Sequence, residues 1–378
     1  MLLYTGINWQ CSPEKLRTGM RIAMNYAKWL AAIVVGLCLS LVVVSATGWN
    51  FPVAAMNKPQ DSASKINLPG TVEAANSASA RDSDWKRLGV VLDLGSRGSY
   101  DDKSIESPLI LKLGEGSYVM FYRGQTYADK VGRIMRATSS DGITWTKTGV
   151  VMTPSESYEG NKIDPMAVMF DQDVYKMWYG SDTSGGCACY ATSPDGINWT
   201  RSQDNPVLRK THGSWDNEGA GGQNTVIKSG DMYYMYYKGY GKAAPGWTFY
   251  GLAASSDGVN WSKQGKVISP DPSMGETTFF KNLYAFKVGG YYCILHTMAD
   301  YLSLFLCTSQ DGKTWTKDGL LFSHGLAPGG YDIKWATSPC LIVDGNTVRM
   351  WYEGGDSSGR VRTLYAEIDK STLIKDIQ

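Results

Sequence analysis

The sequence has few of the side chains that build metal centres. Its 378 residues include only three histidines, and no two cysteines are separated by two residues. Zinc and iron–sulfur sites need His and Cys ligands at short, defined spacings. His212, His296 and His324 do not form such a pattern. We therefore expect no bound metal and no other cofactor.

The chain also lacks an excess of charge of either sign. Lys and Arg number 37 and Asp and Glu number 36, which gives a net charge of +1 at pH 7. Proteins that bind nucleic acid concentrate positive charge on one face. The basic residues here are scattered, so we expect no nucleic-acid partner.

Long amphipathic helical patterns are absent after residue 80, and short repeated runs take their place. Tyrosine-rich runs such as SYVMFYRG (117–124) and TVRMWYEG (347–354) recur along the chain. Alternating, aromatic-rich runs between Gly, Asp and Asn turns predict β-strands. A ten-residue segment, ATSSDGITWT, follows the first run and returns with small changes, so that the four copies occupy residues 137–146, 191–200, 253–262 and 307–316.

The repeats predict an all-β fold, a five-bladed β-propeller with four-stranded blades. The Asp residues of the repeated segments are separated by 54, 62 and 54 residues, a period typical of propellers. The fifth repeat lacks a fourth strand, and residues 84–92 resemble the missing one. We expect this N-terminal strand to close the ring by pairing with residues 361–368, which removes two open sheet edges. Closure by residues 371–378 is a weaker alternative.

The repeated Asp-Gly pairs predict tight turns rather than chemistry. Glycine tolerates positive φ, and the Asp side chain accepts bonds from backbone N–H groups. A catalytic group would not need four copies on separate blades. We therefore exclude from the site the four repeated residues Asp141, Asp195, Asp257 and Asp311.

One long hydrophobic run, residues 29–46, precedes the repeats. It is near the lower length limit for a membrane span and follows several basic residues. It is either a cleaved signal peptide or a membrane anchor, and both predict export with the propeller outside. Residues 1–28 would then be cytoplasmic or the start of a signal, 47–83 a flexible linker, 84–370 the propeller and 371–378 a C-terminal tail. We expect a monomer that meets the membrane only through its N-terminal segment.

Five of the seven cysteines lie in the repeats. Cys293 and Cys307 fall on neighbouring predicted strands. They either form a disulfide, as an oxidising compartment would allow, or are small buried hydrophobic residues. The sequence leaves both alternatives open.

The loops on the face opposite the repeated turns vary most, and binding residues gather on such loops. Aligning the repeats places one polar residue at the start of each innermost strand, around the propeller axis. These five residues are Ser107, Asp164, Gln223, Lys281 and Ser338, and the carboxylates Glu106 and Glu218 lie beside them.

Aromatic residues lie in loops on the same face. Trp215, Trp247 and Trp335 are there, and His296 maps to it as well. Aromatic rings beside carboxylates suit a sugar, because CH groups stack while hydroxyls bond to acceptors. We expect about half of such tryptophans to pack under loops instead. Carbohydrate is the expected partner.

Several segments resemble the five-bladed glycoside hydrolase superfamily. These are IDP at the second innermost strand (163–165), KMWYGSD (176–182) and the stretch from NPVL to MYYMYYKG (205–239). The superfamily includes arabinanases, β-xylosidases, invertases, levansucrases and mannoside phosphorylases. The resemblance covers about residues 84–370, and it is more specific for fold than for activity.

The resemblance implies three axial carboxylates: a base or nucleophile in the first blade, an orienting group in the second and an acid in the third. Asp164 matches the second position. The first position holds Ser107 with Glu106 beside it. The third holds Gln223, an amide, with Glu218 five residues earlier. Flanking glycines would let Glu218 turn inward, where a general acid is shielded from water. The alternative is a solvated glutamate in the loop.

The implied catalytic residues are therefore Asp164, Glu218 and Glu106. The implied substrate-binding residues are Ser107, Gln223, Lys281, Trp215, Trp247, Trp335 and His296. The sequence predicts a glycosidase acting on an extracellular or envelope oligo- or polysaccharide. Because Ser107 and Gln223 occupy two of the three carboxylate positions, a non-catalytic glycan-binding propeller in exopolysaccharide or surface-polysaccharide assembly remains the alternative.

Overall fold

The computed structural model describes residues 81–183, 185–242, 247–271, 280–298 and 302–377. The predicted N-terminal segments, up to residue 80, lie outside these ranges. Within the described ranges, no helix combines the length and apolar character that a membrane span requires.

The predicted flexible linker extends too far toward the repeats. Residues 81–83 are helical, and Asp82 is buried. Its Oδ1 atom accepts hydrogen bonds from Arg87 Nη2 at 2.5 Å and from the backbone N–H of Ser323 at 3.0 Å. These contacts tie the start of the described chain to the strands, so residues 81–83 are part of the folded domain.

The described residues form twenty β-strands. Four groups of four follow one another in the chain, and the strands within each pair antiparallel. A single parallel bridge between Ser104 and Val361 also links the first group to the last strands of the domain, and we call the two parts the first and fifth sheets. The first sheet is β2 (Ser104–Gly114), β3 (Ser117–Gln125), β4 (Gly132–Ser139) and β5 (Thr146–Met152); the second is β6 (Ile163–Asp171), β7 (Val174–Ser181), β8 (Ala188–Ser193) and β9 (Thr200–Arg201). The third is β10 (Gly219–Ser229), β11 (Met232–Tyr240), β12 (Phe249–Ser255) and β13 (Ser262–Ile268); the fourth is β14 (Phe280–Val288), β15 (Tyr291–Met298), β16 (Leu304–Ser309) and β17 (Thr316–Phe322).

The fifth sheet joins the two ends of the domain. It contains β18 (Trp335–Asp344), β19 (Thr347–Gly355), β20 (Val361–Asp369) and the N-terminal strand β1 (Lys86–Leu92). β1 pairs antiparallel with β20, from Lys86 opposite Glu367 to Leu92 opposite Thr363. The predicted closure is therefore confirmed. The alternative is wrong: the predicted C-terminal tail forms helix α1 (Lys370–Ile377), which buries Leu373 and Ile377.

The hydrophobic core lies between neighbouring sheets. One cluster packs Trp178 of the second sheet against Val226 and Met235 of the third, and corresponding clusters join the other sheets. Trp178 is fully buried, and burying a large apolar side chain stabilises a fold by about 1.5–3 kcal/mol. Because both faces of each sheet are covered, strands such as VYKMWYGS read as nearly continuous apolar runs.

The repeated Asp-Gly turns connect neighbouring sheets, in agreement with their predicted structural role. Asp141 Oδ1 accepts the N–H groups of Ile143 and Thr144, both at 2.7 Å. These bonds lower the pKa of Asp141 to about 2. The carbonyl of Gly142 in the same turn accepts the indole N–H of Trp351 from the fifth sheet at 2.8 Å.

The same connection recurs around the domain. Trp178 of the second sheet donates to the Gly258 carbonyl of the third at 2.7 Å. Tyr236 of the third sheet donates to the Gly312 carbonyl of the fourth at 2.9 Å. Three of the four turns thus receive a hydrogen bond from the second strand of the preceding sheet. At the fourth turn, Phe121 of the preceding sheet lies beside Gly196 instead, so the repeat preserves a contact between sheets.

The register of the fourth sheet decides between the two alternatives for its cysteines. Cys293 lies opposite Thr308, and Cys307 lies opposite Ile294. The offset of one residue directs the two thiols to opposite faces of the sheet, so they lie in different hydrophobic clusters. Both cysteines are small buried residues, and no disulfide joins them.

We predict that Trp178→Phe lowers the free energy of unfolding by about 1–3 kcal/mol, because it removes the bond to Gly258 and leaves space in a packed contact. Trp199→Phe is the matched control, since Trp199 Nε1 is buried without a hydrogen-bond partner among the described residues. Urea unfolding of both variants measures the difference. Equal destabilisation would show that the indole hydrogen bond does not hold the sheets together.

Candidate axial site

All five innermost strands are interrupted where they approach the axis. The pairing of each with its neighbour skips residues after Glu106, Pro165, Ala220, Phe280 and Thr337. Proline cannot donate to a sheet ladder and is commonly found at bulges. Ser107-Pro108 and Ser338-Pro339 lie in two of these bulges, and both serines have positive φ, 52° and 48°. These bulges turn polar side chains toward the axis.

The bulges bring polar side chains from all five sheets to one axial cluster. Gln223 Nε2 donates to Asn282 Oδ1 at 2.6 Å, and Asn282 Nδ2 donates to Ser338 Oγ. On the other side, Ser107 Oγ donates to Asp164 Oδ1 at 3.2 Å. The sequence alignment therefore places Ser107, Asp164, Gln223 and Ser338 correctly around the axis.

The fourth sheet contributes Asn282 to this cluster, whereas the alignment selects Lys281. The bulge between Phe280 and Leu283 changes which residue faces the axis, so the sequence position is wrong by one. Lys281 lines an adjoining pocket instead, together with Glu106, Trp335 and Glu353.

Arg123 joins the two predicted catalytic carboxylates of the first and second sheets. Its Nη1 donates to Asp164 Oδ2 at 2.5 Å, and its Nη2 donates to Glu106 Oε2. Ser104 Oγ also donates to Glu106, at 2.6 Å. Asp164 and Glu106 are mostly buried, with 14% and 21% of their side chains exposed. One planar guanidinium thus fixes the orientation of both carboxylates.

Glu353 of β19 is a third axial carboxyl group, which the sequence analysis misses. Only 7% of it is exposed. The backbone N–H of Ser107 donates to its Oε1, and Thr337 Oγ1 donates to its Oε2 at 3.0 Å. Burial raises the pKa of Glu353, so this group is suited to holding a proton.

A register signal in the sequence points to these additional residues. In three of the tyrosine-rich strands, a charged residue directly follows two aromatic residues. These charged residues are Arg123, Lys238 and Glu353. The second sheet has Gly180 there. A Cβ atom on Gly180 would lie 2.0 Å from the Gly222 carbonyl oxygen, so only glycine fits.

Two open pockets adjoin the axis. One is lined by Asp164, Ser181, Gln223, Lys238 and Tyr240 among others, and the other by the group that includes Glu106, Lys281, Trp335 and Glu353. Each contains a carboxylate, a lysine and an aromatic ring. Burial and the nearby charge of Lys281 lower the pKa of Lys238 to about 8.

The environment predicted for Glu218 is wrong. Its side chain is 41% exposed, and its Oε1 lies 3.5 Å from the Nζ of Lys242, another exposed residue. Glu218 lines neither pocket. The glycines after it do not turn it inward, because Gly219 and Gly222 instead pack closely against the backbone of Gly185 and Gly186.

Three of the four predicted aromatic binding residues lie away from the two pockets. His296 is 1% exposed and packs edge-on against Phe280, with ring centroids 4.9 Å apart. Burial lowers the pKa of His296 to about 3. This core position does not fit the predicted substrate contact.

Trp215 and Trp247 also pack against neighbouring rings. Trp215 stacks on Tyr237 with a centroid distance of 5.8 Å, and Trp247 stacks on Phe249 at 6.5 Å. Trp335 is the tryptophan that lines the axial pocket. Among the described residues, no three His, Cys, Asp or Glu side chains come together in a way that would hold a metal ion.

The sequence model of the glycosyl hydrolases family 32 N-terminal domain matches residues 107–221. An uncharacterized protein of Mycobacterium tuberculosis is 27% identical over 204 residues, which is 48% of this chain and 63% of that protein. The 1,2-beta-oligomannan phosphorylase of Thermoanaerobacter sp. is 27% identical over 177 residues, 44% of this chain and 56% of that enzyme. This chain thus spans less than two thirds of the length of these relatives.

Solved structures share the fold. A family 117 glycoside hydrolase from the marine bacterium Zobellia galactanivorans aligns with a TM-score of 0.57 at 17% identity, over 76% of this chain and 90% of that protein. Identity at this level establishes the fold and leaves the activity open. The family 32 match over residues 107–221 and the shared fold together support a likeness to the propeller glycoside hydrolases.

Proposed function

We propose that this protein cleaves glycosidic bonds of an oligo- or polysaccharide at the axial site, and that its five sheets are the blades of a five-bladed propeller. The observation that carries the proposal is the cluster of Glu106 and Asp164 on Arg123, with Glu353 beside it. We further propose, from the hydrophobic run at residues 29–46, that the substrate is met outside the cytoplasm.

The proposed chemistry requires a proton donor and a second carboxylate. A glycosidic oxygen leaves readily only when it is protonated, and a carboxylate on the other side activates the nucleophile or attacks directly. Gln223 cannot supply a proton as a carboxylic acid does. Glu353 takes that role in our proposal because burial raises its pKa. Asp164 and Glu106 provide the carboxylates.

The pocket beside Glu353 also suits binding of a sugar ring. Trp335 and Glu106 line it together, so a ring can stack on the indole while its hydroxyls donate to carboxylate oxygens. In the other pocket, which contains Asp164, Gln223 Oε1 is a further acceptor, since this buried atom has no hydrogen-bond partner among the described residues.

Phosphate is a second candidate for the attacking group, in place of water. Lys238 and Lys281 adjoin the axis, and their charges are close enough for Lys281 to lower the pKa of Lys238. An anion placed near both ammonium groups would relieve their repulsion. The similar Thermoanaerobacter enzyme is a phosphorylase, which is consistent with this candidate.

The full chain should be incubated with a panel of oligo- and polysaccharides, with and without inorganic phosphate. Release of reducing ends without phosphate would support hydrolysis, and formation of a sugar phosphate would support phosphorolysis. Binding without either product would favour the non-catalytic alternative and contradict the proposed enzyme.

We predict that Asp164→Asn lowers turnover on the substrate found in this panel by about 10²–10⁴-fold, the range for loss of a catalytic carboxylate. Glu218→Gln is the matched control in the next sheet, and it should stay within about threefold of the parent because Glu218 is exposed. Comparable losses in both variants, or full activity of Asp164→Asn, would exclude Asp164 from the chemistry.

If phosphate is the attacking group, its binding should weaken as the pH rises through about 8, because the Lys238 ammonium then loses its proton. Lys238→Arg should remove this weakening, since a guanidinium stays protonated. Titration calorimetry with inorganic phosphate between pH 6 and 10 measures the effect, and Lys242→Arg is the control. A decline that persists in Lys238→Arg would contradict the assignment.

A further inference from the structure

We propose that Cys187 and Cys189 form a reversible disulfide in the wall of the axial pocket. Their Sγ atoms are 3.9 Å apart in the structure. Cys189 lies in β8, and Cys187 comes directly before that strand, so the side chains of these residues, two apart, project to the same side. A disulfide needs the sulfurs at about 2.05 Å, so both side chains must rotate toward each other and the chain must adjust around Cys187.

The pair lies directly behind residues that line the pocket. Cys187 Sγ is 3.1 Å from Ser181 Oγ, and Ser181 lines the pocket that contains Asp164. Gly185 and Gly186, immediately before Cys187, line the same pocket. Closing the disulfide draws Cys187 toward Cys189 and away from Ser181, so it changes the wall of the proposed site.

The two thiols have different chemical roles. Hydrogen bonds from Cys189 and Ser181 lower the pKa of the Cys187 thiol to about 7. The pKa of Cys189 is raised, chiefly because its thiol donates to Cys187. Cys187 is therefore the attacking group, and Cys189 becomes a better nucleophile once Cys187 no longer accepts its hydrogen bond.

The reaction is a thiol–disulfide exchange with an oxidant such as glutathione disulfide. The Cys187 thiolate attacks one sulfur of the oxidant, forms a mixed disulfide and releases one glutathione thiolate. Cys189 loses its proton to solvent and attacks Cys187 Sγ, and the second glutathione leaves. Two protein thiols are oxidised, and one glutathione disulfide is reduced to two thiols.

The geometry makes this bond reversible rather than purely structural. Residues two apart in a strand have Cα atoms about 6.6–6.8 Å apart, at the upper limit of about 6.8 Å for disulfides. A bond at this limit is strained and easily reduced. Both thiols are buried, so oxidation needs a local opening of the chain near the pocket and should be slow.

The test is mass spectrometry of the folded full chain after incubation in glutathione buffers of graded redox potential. Samples are alkylated after unfolding, so that peptides show which thiols remain. In oxidising buffer we expect the peptide that contains residues 187–189 to be lighter by two hydrogens and to escape alkylation. In reducing buffer it should regain both hydrogens, and Cys293 and Cys340 should be alkylated throughout. Retention of both thiols at every potential would overturn the proposal.

Two variants separate the chemistry from damage to the fold. Cys189→Ser should trap one glutathione on Cys187, whereas Cys293→Ser, a matched buried cysteine in another sheet, should leave the 187–189 disulfide unchanged. If Cys189→Ser unfolds, phenylarsine oxide provides a second readout on the parent chain. Binding of one arsenical that protects both Cys187 and Cys189 is expected, and alkylation of both despite the arsenical would contradict their pairing.

Discussion

The axial site depends on one guanidinium that holds two carboxylates from adjacent sheets. Arg123 places Asp164 and Glu106 on a single planar group, although the two residues belong to different sheets. This requires the first and second sheets to keep a fixed angle. Besides the connecting loop, the N–H of Gly132 in the first sheet donates to the Asn161 carbonyl at 3.0 Å. Phe121 of the first sheet packs edge-on against Trp199 in the Asp-Gly segment of the second, with ring centroids 5.4 Å apart, and this contact holds the two sheets together. The repeated segments are therefore remote from the chemistry but necessary for its geometry.

The site also shows how this protein departs from the superfamily pattern. The third-sheet position that would hold the acid is Gln223, which takes part in an amide and hydroxyl chain through Asn282 and Ser338. The group suited to holding a proton is instead Glu353 of the fifth sheet. Because propeller positions are related by rotation, a group on another sheet can reach the same axis. This exchange of roles between sheets is part of our proposal.

The sequence predicted the strands and the ring closure because both depend on local patterns that repeat. It also placed Asp164 and Ser107 at the axis, since their strands align without ambiguity. The axial position predicted for the fourth sheet, Lys281, is wrong by one residue. A bulge turns Asn282 inward instead, and a sequence alignment does not show the bulge. The repeat pattern also does not predict how exposed each side chain is. Glu218 proved exposed and His296 buried, although both map to loop-face positions.

Arg123 and Glu353 were missed for a different reason. They occur in tyrosine-rich runs that indicate strands, and nothing in the pattern of a single run shows that these charged side chains face the axis. Comparing the same register place in all five runs would have identified them. Burial of a charged residue next to two core aromatics is the physical signal.

A crystal structure of the full chain with an oligosaccharide that binds it tests the central claim most directly. We predict a sugar ring on Trp335, with a hydroxyl or the glycosidic oxygen within hydrogen-bond distance of Asp164, Glu106 or Glu353. A sugar bound on the face of the Asp-Gly turns, with the axial pockets empty, would contradict the account.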